Sequence, residues 1–189
     1  MKLTVKEMTL VSMFAAFACA GGLLLRFGGE GVVPFSVLPL VVLLAGVLLG
    51  GRLGALSMTV YLIIGLIGIP VFASAPYGGI SYFVKPTAGF LFGYIAAAYV
   101  VGRITELIGK NNVWTYMGAS CVGLVLLYLI GLPYLYVILN YIAGKAVNVA
   151  GVLKIGFLPF VGFDIIKAFI VSVIAVPVAK QIKLGARQA

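Results

Sequence analysis

The sequence contains no histidine and only four acidic residues, Glu7, Glu30, Glu106 and Asp164. Without imidazole it lacks the commonest metal ligand and the usual general base. Three of the four acids sit near the ends of apolar runs, so no carboxylate cluster is available for metal binding or hydrolysis, and no enzymatic activity is expected. Both cysteines, Cys19 and Cys121, lie inside apolar runs without a CxxC spacing and read as small packing residues. A phosphate-binding GxxxxGK[ST] loop is also missing. Gly109-Lys110-Asn111 and Gly144-Lys145-Ala146 have neither its spacing nor its hydroxyl, which excludes nucleotide hydrolysis by this chain. Charge itself is scarce, at 9% against about 25% in soluble domains.

What fills the chain is hydrocarbon. Hydrophobic residues make up 63% of it, and the mean hydropathy is +1.25. Such a composition cannot cover a globule with polar surface, so the chain reads as an integral membrane protein in contact with lipid. Thirteen Lys and Arg against four acids give a net charge of +9, which in a membrane protein reports loop charge and not nucleic-acid binding.

Uncharged runs bounded by charges or by Gly/Pro breakers place spans at about 8–25, 34–50, 53–70, 86–103, 113–141 and 158–180. Pro34 suits the start of the second, and Gly68-Ile69-Pro70 ends the third. The expectation is an all-α integral membrane protein, a single domain over 1–189 with six transmembrane helices. The segment Val71–Lys85 reads as a loop or re-entrant element. With six spans, Lys2, Lys6, Arg52, Arg103, Lys110, Lys180, Lys183 and Arg187 share one side, against Arg26, Lys85, Lys145 and Lys154 on the other. Eight against four predicts both termini in the cytoplasm.

Asp164 and Lys167 interrupt the last apolar run. Three residues apart on a helix, they share a face, roughly 9–14 Å in from Leu158. Ionisable groups at that depth are costly unless paired or facing a wet cavity, and they mark a functional site by default. The alternative is an ion pair that only neutralises itself. A carboxylate accepts N–H bonds and an ammonium donates to a carbonyl, so together they suit a small polar ring with N–H and C=O edges. Nearby outer loops carry Tyr77, Gly78, Gly79, Tyr82 and Phe83, then Tyr134, Tyr136 and Tyr141. These fit an aromatic pocket wall or an interfacial belt. Lys85, Lys145 and Lys154 on the same side attract an anionic solute or snorkel to headgroups. In the first span Ser12, Ala16 and Ala20 recur every four residues. Small residues on one face admit close helix approach, either within the chain or to another membrane subunit.

Several stretches are similar to the BioY family. They are Val41–Ala45, Gly46–Gly50, Arg52 and Gly54, Tyr61-Leu62, Gly65, Gly68, and Pro70-Val71-Phe72-Ala73. Gly78-Gly79, Pro86-Thr87-x-Gly89 and the ending Pro159-Phe160 … Asp164-x-x-Lys167 complete the resemblance, which runs from about Val33 to Lys167. Ser36, Leu38, Lys85 and Gly162-Phe163 stand where the family commonly has other residues. The resemblance implies a biotin-specific S subunit of an energy-coupling factor transporter in a prokaryotic cell membrane. Its ligand is biotin, bound on the outer side, with no cofactor and no metal. Its implied partners are a transmembrane scaffold subunit and two ABC ATPases. Carried over residue by residue, the family's acid and lysine fall on Asp164 and Lys167 and its loop glycines on Gly78 and Gly79. Tyr82 and Tyr141 join the expected site from the aromatic outer loops, and Lys85, at a position that departs from the family, is assigned to the biotin carboxylate. The family's coupling face falls on Ala16 and Ala20, and the stripe they share with Ser12 makes all three the expected partner-coupling residues. Other readings are an S subunit for another vitamin, a small secondary transporter using Asp164, or a membrane-packing subunit without a ligand.

Overall fold

The computed structural model describes residues 3–27 and 36–187. Lys2, Glu30, Val33 and Pro34, the expected start of the second span, lie outside the described residues. Among those described there is no β-strand. The elements are α1 (Val5–Phe27), α2 (Leu38–Leu66), a 3-10 turn (Ile80–Val84), α3 (Ala88–Ile108), α4 (Val113–Val137), α5 (Val149–Gly156) and α6 (Leu158–Arg187). A π turn, Ile138–Ile142, extends α4. Five helices among the described residues are long and apolar enough to cross a membrane.

Local signals set the helix ends. At the start of α1 the Thr4 backbone N–H donates to Glu7 Oε2 at 2.8 Å, and the Glu7 N–H donates back to Thr4 Oγ1 at 3.2 Å. This reciprocal box satisfies donors that the first turn leaves unpaired. Asn112 and Asn148 cap α4 and α5 by accepting from the N–H groups of Thr115 (2.7 Å) and Gly151 (2.8 Å). Gly109, at φ 67°, ends α3 with a left-handed cap.

Inside α2, Gly50 is non-helical, with φ 82° and ψ 173°. Residues 45 and 54 would lie about 13 Å apart on a straight helix, yet a Cβ on Gly54 would lie 3.1 Å from the Ala45 carbonyl oxygen. The chain therefore doubles back at Gly50 into two antiparallel helical legs, 38–49 and 51–66. The second leg starts on a distant cap, because the Gly51 N–H donates to Glu106 Oε1 at 2.9 Å. Arg103 steadies that carboxylate from the other side, at 2.8 Å. Gly102 lets the α3 backbone reach the turn, since any Cβ there would strike the backbone of Gly50 and Gly51.

Helix α3 lies between α2 and α4, α1 packs on α2, and α6 packs on α4 and α2. Many of the deepest contacts are made by small side chains: Ala18, Ala45, Ser57, Ala98, Ser120, Ala168, Ser172 and Ala175 are fully buried, beside a few large ones such as Tyr61, Phe72 and Met58. In lipid, where apolar transfer does not drive helices together, close approach over small residues is what supplies dispersion energy. Ser57 and Ser172 satisfy their hydroxyls on the carbonyls of Leu53 (2.8 Å) and Ala168 (2.6 Å). Many large apolar side chains nevertheless face outward: Ile63, Val125, Leu129, Ile166, Phe169 and Val173 are exposed. An outer surface of large apolar side chains suits a hydrocarbon solvent.

Candidate functional site

Segment 71–85 folds back onto the end of α2 and roofs the interior. Phe72, fully buried, fills the space that Gly65 leaves without a side chain. Its ring lies 5.7 Å from Tyr61 and 4.4 Å from Tyr82, centroid to centroid. The Gly79 N–H donates to the Gly65 carbonyl at 2.7 Å, and the Phe72 N–H donates to the Tyr77 carbonyl at 2.8 Å. The Ala75–Pro76 bond is cis, and Tyr77 takes φ 66°. These bonds turn the loop inward, so Ala73, Ser74, Ala75, Tyr77 and Tyr82 face a cavity of about 360 Å³.

The other walls of that cavity come from every large element: Arg26 of α1, Leu38 and Tyr61 of α2, Leu91 and Tyr94 of α3, Leu127 and Tyr128 of α4, Ile155 of α5, and Phe160, Asp164 and Lys167 of α6. Seven aromatic rings line it. Tyr128 meets Phe90 and Phe157 edge-on, at 6.3 Å and 4.9 Å. A volume of this order, with apolar walls and few convergent polar groups, is the usual form of a small-molecule site.

Asp164 is the polar centre. It is only 3% exposed. Its Oδ1 accepts from Lys167 Nζ at 2.7 Å, and its Oδ2 accepts from the Tyr128 hydroxyl. The side chain of Lys167 is itself 12% exposed. An ionised carboxylate has about four lone-pair sites; two are used here, which leaves two to offer a ligand. A second polar string in the lining links Ser74 Oγ, Tyr82 OH and Thr87 Oγ1, at 3.2 Å and 3.1 Å.

The residues expected at the site separate into three groups. Asp164, Lys167 and Tyr82 line the cavity. Gly78 and Gly79 do not line it; they hold the roof to α2. A Cβ on Gly78 would lie 2.6 Å from the Ile69 carbonyl, and Gly79 has φ 86°. Lys85 and Tyr141 are absent from the lining. Tyr141 is 79% exposed, because the π turn buries Ile138 and Leu139 and rolls the next side chains outward. Ser12, Ala16 and Ala20 are all exposed, on one face of α1.

Tyr128, Tyr94, Ser74, Thr87 and Arg26 line the cavity and have no signal in the sequence that marks them as site residues. Tyr128 comes to Asp164 from 36 residues away. Only the chemistry of a buried carboxylate, which requires a second donor, hints that such a partner exists.

A family model described as the BioY family matches residues 1–184. The chain belongs to the BioY family. Its relatives include the probable biotin transporter BioY of Lysinibacillus sphaericus, 34% identical over 89% of this chain and 84% of that protein. The probable biotin transporter BioY of Pyrococcus horikoshii is 36% identical over 90% of this chain and 94% of its own length. The biotin transporter BioY of Thermotoga maritima is 34% identical, over 79% and 83%. In three dimensions this BioY-family fold is similar to the S-component for biotin from an ECF-type ABC transporter. The TM-score is 0.75 at 20% identity, covering 95% of each chain.

Proposed function

We propose that this BioY-family protein is the biotin-binding S component of an energy-coupling factor transporter and takes part in biotin uptake. The observation that carries the reading is the buried Asp164–Lys167–Tyr128 triad inside a cavity with aromatic walls. Both Asp164 oxygens keep an unused lone pair, which matches the two ureido N–H groups of biotin. Lys167 remains able to donate to the ureido carbonyl through its other ammonium protons. Tyr82, Tyr94 and Phe160 then supply flat apolar contact for the bicyclic ring and chain.

The two legs of α2, with the four other long helices, make six crossings of the membrane. Both termini lie in the cytoplasm by the distribution of Lys and Arg, which puts the cavity and its roof on the outer side. The exposed Ser12, Ala16 and Ala20 face of α1 docks on a transmembrane scaffold subunit, itself driven by two ABC ATPases. A prokaryotic cell membrane is the corresponding location.

The test is to purify the full chain in detergent, extract whatever small molecule it retains, and titrate the emptied protein with radiolabelled biotin. Retained biotin, or saturable biotin binding that riboflavin and thiamine do not compete, is the expected result. Absence of saturable biotin binding overturns the proposal.

A further inference from the structure

The charged residues that line the cavity are one acid and two bases: Asp164, Lys167 and Arg26. Asp164 and Lys167 are paired at 2.7 Å and cancel. Arg26, from the last turn of α1, adds a charge of +1 to the lining. The ion pairs among the described residues are Asp164–Lys167 and Arg103–Glu106, so no carboxylate there neutralises Arg26. Its guanidinium lies over the Tyr77 ring instead, 4.2 Å from the centroid. Stacking of this kind orients the plane of the guanidinium and leaves its edge N–H donors available. Arg26 is exposed as well as cavity-lining, which places it at the opening, whereas Asp164 is buried.

We infer that Arg26, held against Tyr77, is the group that recognises the carboxylate of the ligand and so selects a monoanionic acid over its neutral derivatives. A ligand that presents N–H groups to Asp164 and a carboxylate at its far end then finds a cavity of matching polarity at both ends and matching net charge. A guanidinium can hold that carboxylate with two parallel N–H bonds. Lys85, the other candidate for this role, is outside the lining. The inference rests on the biotin reading above.

The experiment measures equilibrium binding of biotin and of biotin primary amide to the full chain in detergent, for the parent protein and for Arg26→Gln, Arg26→Lys and Lys85→Gln. The parent is expected to bind the acid at least tenfold more tightly than the amide, about 1.4 kcal/mol. Arg26→Gln should weaken the acid at least tenfold, leave the amide within about twofold and abolish the preference. Arg26→Lys should restore part of it, and Lys85→Gln should leave both affinities unchanged. If Arg26→Gln weakens acid and amide equally, Arg26 only props Tyr77 and the inference fails. If the preference survives Arg26→Gln but is lost in Lys85→Gln, the carboxylate belongs to Lys85 and the inference fails equally. A parent protein that binds neither compound defeats the biotin reading itself, which is a different result.

Discussion

Asp164 carries a charge that its helix alone could not shelter. A buried carboxylate is tolerated when opposite charge and hydrogen bonds compensate its lost hydration, and here Lys167 and Tyr128 provide both. Removing the charge while keeping the shape separates the ligand role from the packing role. Asp164→Asn should weaken biotin binding by more than tenfold, because a hydrogen bond to a charged group is worth about 1.5–3 kcal/mol. Isothermal calorimetry on purified protein measures this, and unchanged affinity would take Asp164 out of the site. Tyr128→Phe tests its support. Losing that hydroxyl leaves the buried Oδ2 short of a donor, so affinity should fall several-fold and the midpoint of thermal unfolding should drop, by about 1–3 kcal/mol of stability. Asp164 and Lys167 could be paired from their spacing alone, since residues three apart meet on a helix. Tyr128 could not, because no local rule connects a tyrosine of α4 to an aspartate of α6.

The elements show the same division. Apolar runs announce helices, and every long element of the structure is one. What a run does not announce is how two helices separated by a few polar or glycine residues meet. At Gly50 the φ of 82° and ψ of 173° fall where only glycine sits without strain, and the leg that follows borrows its cap from Glu106 on α3. Gly50→Ala should therefore destabilise the protein by about 1–3 kcal/mol, read as a lower midpoint of thermal unfolding in detergent. An unchanged midpoint would mean that the turn tolerates a side chain. Gly78 and Gly79 carry a related lesson. Their position beside a tyrosine-rich loop suggests a pocket, but their hydrogen bonds and close contacts serve the backbone of the roof. Tyr141 turns outward for a reason equally invisible in sequence, the one-residue register shift of a π turn.

At the scale of the whole molecule, binding and coupling sit on different surfaces. The cavity draws on all six α elements, whereas Ser12, Ala16 and Ala20 are exposed on one face of α1 and none of them lines it. A bulky group on that face should block a partner without reaching the ligand. Ala16→Trp is expected to bind biotin as the parent does and to lose ATP-dependent uptake in cells or reconstituted vesicles that contain the complete transporter. Undiminished uptake would move the coupling face elsewhere.

Composition and order of residues by themselves determined the all-helical class, the hydrocarbon environment and the presence of one ionisable couple within an apolar helix. They could do so because hydration cost and the 3.6-residue period act locally, on one segment at a time. Tertiary structure alone decided that α2 doubles back, that Arg26 and Asp164 belong to one cavity, and that Tyr128 completes the carboxylate's hydrogen bonds. Those facts depend on which surfaces of distant segments meet, and the close approach of small side chains settles that only once all the helices are in place.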